Sequence, residues 1–158
     1  MLLVISTTLA AGLGGHYVAV TPAETVAAAQ KAEMELSLAS VPSVLRPIGE
    51  RLLAPSLFHC REYVLDISSG SFNLRCDDKP GLQYNMDGSV REIVYEGKPL
   101  QSRVWTEGQA VVLSIASDTG NRTSRFLPTD SGMDLKVQVA SERLDRPVSW
   151  EIRYQRSP

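Results

Sequence analysis

Apolar and polar residues alternate one for one through the second half of this chain, and short turn pairs interrupt the alternation at close intervals. Leu135, Val137 and Val139 share one parity, and Asp134, Lys136 and Gln138 share the other. Val148, Trp150, Ile152 and Tyr154 alternate in the same way with Ser149, Glu151, Arg153 and Gln155. A period of two belongs to a strand with one dry and one wet face. The interruptions are Ser69-Gly70, Asp87-Gly88, Glu96-Gly97, Glu107-Gly108, Thr119-Gly120-Asn121 and Ser131-Gly132. Glycine there supplies the positive φ that hairpin turns use. The pattern predicts strands at Glu62–Ile67, Phe72–Cys76, Leu82–Asn85, Val90–Tyr95, Leu100–Thr106, Ala110–Ala116, Thr123–Leu127, Met133–Ala140 and Val148–Gln155. His16–Val20 reads as one more. A run of hairpins this long must close on itself or cover its edges, and about ten strands suffice for an up-and-down barrel or a strongly curled half-barrel.

Two helices interrupt the strands after the first. Thr21-Pro22-Ala23-Glu24 has the form of a helix start, with Thr21 as cap, Pro22 in the first position and Glu24 reaching back. The helix extends to about Ser37, with Glu24, Lys31 and Glu35 on one stripe and Val26, Ala29 and Leu36 on the opposite one. Val41-Pro42 breaks it. A second helix is expected from about Ser43 to Ala54, with Leu45, Ile48 and Leu52 on one side, Pro47 early and Pro55 as the stop. The expected fold is therefore mainly β, an antiparallel up-and-down meander or barrel with two short helices inserted after the first strand to cover an open end or an edge.

Length and charge narrow the class. The 158 residues suit a single domain with a real core, and 43% hydrophobic with 22% charged residues is a globular composition. A net charge of −2 argues against a nucleic-acid partner, which needs a concentrated basic face. Arg143, Arg146, Arg153 and Arg156 spread over a loop and a strand face and read as solvated surface. Met1 to Leu13 is apolar or small and uncharged, and is too short to span a bilayer. It has the form of a secretory leader core, with small residues at Ala10-Ala11-Gly12, although no Lys or Arg precedes Lys31. The expectation is a leader remnant at 1–13, a single barrel domain at 14–158, and an exported protein of the periplasm or extracellular space. The alternative for the first segment is a buried strand.

Candidate chemistry is sparse. Cys60 and Cys76 lie sixteen positions apart across an expected hairpin, so they either bridge or stay as two buried thiols. A metal site combining them with His16 and His59 lacks the tight pair that zinc sites carry, so no metal and no cofactor is expected. Asn121-Arg122-Thr123 fits a glycosylation acceptor but is better read as a hairpin turn. No nucleophile elbow, His-Glu-x-x-His or phosphate loop occurs. The inward face of the late strands carries Phe126, Leu135, Val137, Trp150, Ile152 and Tyr154, which are the candidate lining of a ligand cavity. Trp105 shares parity with Arg103 and Gln101, which points it outward.

The segments Gly15-His16-Tyr17, Arg103-Val-Trp105-Thr-Glu-Gly108, Ser131-Gly132-Met-Asp-Leu135-Lys-Val137, Glu142-Arg-Leu144-Asp-Arg-Pro147-Val148 and Tyr154-Gln-Arg156 occur in an order that resembles a group of small exported bacterial proteins described as lipocalin-like. The resemblance covers about Gly14 to Arg156. It implies export and a β-barrel, and brings no catalytic residue with it. The leading expectation is a non-enzymatic lipocalin-like barrel that binds a small hydrophobic molecule or lipid. The rival is a cell-envelope interaction or structural module with a filled core. An enzyme with a site at the barrel mouth, using His59 or acidic turn residues, is the third reading.

Overall fold

A computed structural model describes residues 10–158 of the chain; positions 1–9, which carry most of the expected leader, lie outside the described residues. After a short 3-10 turn at Ala10–Leu13, the order is β1 (Gly15–Ala19), α1 (Ala23–Ser37), α2 (Arg46–Leu53), β2 (Glu62–Ser68), β3 (Ser71–Cys76), β4 (Leu82–Asn85), β5 (Arg91–Tyr95), β6 (Lys98–Glu107), β7 (Ala110–Ala116), β8 (Asn121–Pro128), β9 (Gly132–Ala140) and β10 (Val148–Ser157). All ten strands belong to one antiparallel sheet, ordered β4-β3-β2-β1-β10-β9-β8-β7-β6-β5. Chain neighbours pair with one another except β4 and β5, which form the two edges, and β1 pairs with β10 as well as with β2. The sheet curls into an up-and-down half-barrel with the helices inserted after the first strand.

Register follows from burial. Phe126 opposes Leu135, which opposes Ile152, and Ser124 opposes Val137, which opposes Trp150. All of these are buried, while their neighbours Lys136, Glu151 and Arg153 are exposed. A slip by one residue would exchange the two faces, so the inward apolar rows fix the pairing. The core also takes in Tyr63, Phe72, Tyr84, Met133 and Leu13. Leu13, counted with the leader in the sequence reading, is fully buried, and its carbonyl accepts the Tyr17 hydroxyl at 2.8 Å.

The turns carry their glycines for two separate reasons. Ser69-Gly70 and Glu96-Gly97 both take positive φ at each position, as a two-residue hairpin turn requires. Gly132 has ordinary φ but lies so close to the main chain of Tyr154 and Gln155 that a Cβ would collide with the Tyr154 carbonyl oxygen. That glycine lets β9 and β10 approach.

The helices depart from the expected detail. Thr21 does not cap α1, whose N-cap is Pro22. The Thr21 hydroxyl oxygen instead accepts the Arg153 main-chain N–H at 2.9 Å, tying the chain to β10. The buried stripe of α1 is Val26, Gln30 and Ser37, not Val26, Ala29 and Leu36, and Leu36 is half exposed. Alanines occupy so much of this helix that the apolar signal is weak, and polar Gln30 turns inward to bond a main-chain carbonyl. On α2, Leu45, Ile48 and Leu52 face solvent, and only Leu53 is buried. The helix packs by its Gly49 face, where a Cβ would come within 3.0 Å of Leu38, and this rotates the expected apolar stripe outward.

Candidate functional site

The connection from α2 to β2 crosses one end of the curled sheet without pairing as a strand, and side chains from below hold it. From Ser56 to Cys60 its carbonyls point at interior donors. Gln30 of α1 donates to the Leu57 carbonyl at 2.7 Å. Arg122 of β8 donates through Nη1 to the carbonyls of Ser56 and Phe58, at 2.8 and 3.0 Å. Tyr154 of β10 donates its hydroxyl to the Cys60 carbonyl at 2.6 Å. Cys60 and Cys76 are joined by a disulfide, which links the end of this strap to the end of β3.

Arg122 is the distinctive group beneath the strap. It is 9% exposed, and parity with Ser124 and Phe126 turns it inward. Phe58 lies across its guanidinium, with the ring centroid 3.7 Å from the guanidinium carbon, and the Trp150 ring is 5.4 Å away. Nε makes a long contact of 3.5 Å to Ser124 Oγ. Among the described residues no carboxylate pairs with Arg122, and Nη2 has no hydrogen-bond partner. Desolvation pushes its pKa down to about 10, opposed by the nearby Tyr63 and Tyr154 hydroxyls. Beside it, Trp150 Nε1 is a buried N–H with no acceptor among the described residues. A cation held by carbonyls and not by a carboxylate, with an orphaned buried N–H beside it, is a disposition that folded proteins ordinarily avoid.

Below Arg122 lies an aromatic cluster. Tyr63 meets Phe126 edge-on at 5.6 Å and Tyr154 at 5.4 Å, and Phe72 meets Phe126 at 5.5 Å. Burial raises the Tyr63 hydroxyl to about 12, with Arg122 pulling it down, and raises Tyr154 further. The six residues expected to line a cavity, Phe126, Leu135, Val137, Trp150, Ile152 and Tyr154, all lie on this wall and all are buried. Arg122 escapes a strand that begins at Thr123 and leaves it in the turn, and Ser124, although inside that strand, escapes because a serine carries no apolar signal for the inward face. The parity of Arg122 with Phe126 was the available signal. The sequence reading also passes over Tyr63, Phe72 and Tyr84 on the early strands.

These side chains join those of the early strands in one contiguous buried core. Neither of the two best-formed concavities lies at its centre. One, of about 330 Å³, is outside at the far end, between Gly12, Gln109, the Pro128–Gly132 turn and Arg156. The other, of about 230 Å³, lies at the seam where β4 and β5 fail to pair, and reaches the inward residues Tyr84, Ser102 and Val104. The histidines converge on nothing catalytic. His16 faces Glu62 at 3.1 Å, and His59 sits on the strap without a hydrogen-bond partner among the described residues. Cys60 and Cys76 are bonded to each other and offer no thiolate to a metal. No helix among the described residues is long and apolar enough to cross a membrane.

No protein-family profile matches the chain, and no curated protein is similar to it in sequence. Solved structures share its fold at low identity. Fatty-acid-binding protein 1 of Echinococcus granulosus is 12% identical with a TM-score of 0.55, covering 93% of this chain and 98% of that one. The zebrafish ileal bile-acid-binding protein, complexed with cholic acid, is 9% identical with a TM-score of 0.54, covering 92% and 99%. Secretory abundant heat soluble protein 4 of Ramazzottius varieornatus is 12% identical with a TM-score of 0.58, covering 97% and 100%. These likenesses establish the fatty-acid-binding and lipocalin-like barrel fold for this chain.

Proposed function

We propose that this protein is a non-enzymatic carrier of a small amphipathic molecule with an acidic head. The head pairs with Arg122 and the tail lies against the aromatic interior. The observation that carries this reading is the Arg122 guanidinium, buried, without a carboxylate, and next to the acceptorless Trp150 Nε1. A carboxylate satisfies both at once, because it offers two oxygens to a guanidinium fork and can accept further N–H donors. Phe58, which now covers the guanidinium, is 45% exposed, so its ring borders solvent into which it can swing aside. Fold neighbours named for fatty-acid and bile-acid binding support an apolar ligand, and the absence of convergent acid, base and nucleophile among the described residues supports binding without catalysis.

Calorimetric titration with oleate, oleyl alcohol and methyl oleate tests this reading. The acid should bind tighter than the neutral analogues by roughly tenfold to a hundredfold, the worth of a hydrogen bond to a charged group. Arg122→Gln should remove that preference while sparing the alcohol. Equal binding of acid and alcohol would exclude the acidic head, and no binding of any of the three would exclude the carrier.

The packed interior favours a second reading, an interaction module with a working outer surface. A fold neighbour named for secretion and heat solubility, not for a ligand, keeps that reading open. Export is part of both proposals. It is supported by the Cys60–Cys76 bridge, since such bonds persist in oxidising compartments, and is tested by locating the protein in cell fractions of its host.

A further inference from the structure

We infer that the strap from Ser56 to Arg61 is a lid over the Arg122 site and that the Cys60–Cys76 disulfide is its latch, so that the redox state of this pair sets how readily the interior opens. Except at its ends, the strap has no strand partner. Leu57 N bonds back to the Ala54 carbonyl at 3.1 Å, and the Arg61 carbonyl accepts from Ala19 at 2.8 Å. Between them it is held by side chains: Gln30, Arg122 and Tyr154 on its carbonyls, and the disulfide. These tethers differ in kind. Every hydrogen bond on the strap can be exchanged for one to water or to a ligand head, and an acid arriving at Arg122 competes directly for the N–H groups that hold Ser56 and Phe58. The disulfide cannot be exchanged in that way. It is the one covalent tether within the strap, and ahead of the anchored Arg61 it limits how far the strap lifts when the others let go.

The geometry also gives the exchange a direction. Cys60 is fully buried, whereas Cys76 is partly exposed. A dithiol reductant therefore attacks the Cys76 sulfur, and Cys60 leaves as a thiolate and is protonated. The second thiol of the reductant then displaces Cys76, leaving two protein thiols and the oxidised reductant. The freed Cys76 thiol has an acceptor to hand, since Asp77 Oδ2 lies 3.9 Å from its sulfur. Asp77 meanwhile keeps the main-chain N–H groups of Arg61 and Glu62 on its Oδ1, both at 2.9 Å, so the start of β2 stays anchored while the strap ahead of it is released.

The test needs no ligand in its first arm. Trp150 lies under the strap, and the only other tryptophan, Trp105, is on the outer face and can be replaced by Phe. In Trp105→Phe protein, acrylamide quenching of Trp150 should rise several-fold when the disulfide is reduced with dithiothreitol, with near-ultraviolet dichroism and cooperative melting retained. Unchanged quenching overturns the inference. So does wholesale unfolding on reduction, which would make the bridge a staple of the barrel and not a latch of its lid. A Cys60→Ala/Cys76→Ala variant should quench like the reduced protein in either redox condition. The second arm rests on the acid-carrier reading: release of oleate followed by stopped flow should quicken several-fold on reduction. Increased quenching with no oleate bound in either state would keep the latch and discard the carrier, whereas oleate release at one rate in both states would discard the latch and keep the carrier.

Discussion

The wall formed by β8, β9 and β10 and the seam between β4 and β5 are built from the same alternating pattern, yet they behave as opposites. On the wall every strand has two partners, and Leu135, Ile152 and Tyr154 are at most 1% exposed. At the seam β4 and β5 each lack a partner on one side; on the inner face Tyr84 is buried but Ile93 only partly so, while Val94, on the outer face opposite Pro99, stands 72% exposed. Polar side chains hold the seam where a ladder is missing. Arg103 Nε donates to the Gly88 carbonyl at 2.7 Å, and Asn85, with its amide oxygen turned toward Arg91, accepts from that guanidinium at 2.6 Å. The doubly paired wall buries its whole inward row, whereas at the seam the inward row is only partly covered at Ile93. Within the wall the inverse exception is Arg122, a charge where the pattern calls for an apolar residue. Proteins usually break their own pattern where they work, and here that break falls under the strap.

The largest expected effect tests the wall. Trp150→Ala removes a buried ring, and such truncations cost about 3–5 kcal/mol. This site should fall at the lower end, because the mutation also removes the orphaned Nε1–H, whose burial is itself unfavourable. Chemical denaturation should show a midpoint loss matching roughly 3 kcal/mol. A loss under about 1 kcal/mol would mean that the ring is not packed as described.

Next in size is the bridge that joins the strap to the end of β3. It closes a separation of 16 residues, for which the chain-entropy view gives about 3 kcal/mol, so the double alanine variant should melt lower but still cooperatively. Loss of cooperativity would contradict the separation drawn here between lid and barrel.

Alkaline titration compares the two regions directly. Burial raises Tyr63 and Tyr84 to about 12, one under the strap and one at the seam. Each folded-state value lies above the unfolded one, so the native state holds protons that the unfolded chain has released. The stability they contribute is complete below about pH 10 and is lost as pH rises toward 12. Arg122 acts in the opposite sense: its lowered value is a cost to the native state that is complete below about pH 10 and is relieved as pH rises above it. Melting temperature should therefore fall between pH 10 and pH 12, and Tyr63→Phe should flatten the fall. A flat profile in the parent protein would contradict the burial of both rings.

Much of the fold was legible because alternation and turn glycines are local signals. The strands agree with expectation to within about two residues, and the register that buries Phe126, Leu135, Val137, Trp150, Ile152 and Tyr154 follows from parity alone. The helices were harder. Thr21 had two uses, capping α1 or bonding Arg153, and only the fold reveals that β10 passes close enough to take it. The outward turn of Leu45, Ile48 and Leu52 depends on Gly49 seating against Leu38, a contact across the connection between the two helices that the periodicity of α2 by itself does not show. The site was least legible. Arg122 acquires its character from carbonyls 64 and 66 positions away, and a charged residue beside a turn reads as surface until the strap is placed above it.

The smallest expected effect closes the comparison. Val94 of β5 and Glu151 of β10 are both exposed, but they sit on regions with opposite support. Glu151 lies mid-strand opposite Lys136 on a doubly paired strand, and Glu151→Ala should change stability by no more than about 0.5 kcal/mol. Val94→Ser should cost equally little, although it replaces an apolar residue by a polar one, because little apolar surface is removed from water there. It should also improve solubility, since an exposed valine on a free edge strand invites pairing with another chain. Light scattering of both variants at high concentration separates the regions: lower association for Val94→Ser and no change for Glu151→Ala. A destabilisation above about 1 kcal/mol at Val94 would mean that the seam is closed in solution by a partner strand, and that the contrast between seam and wall belongs to the isolated chain alone.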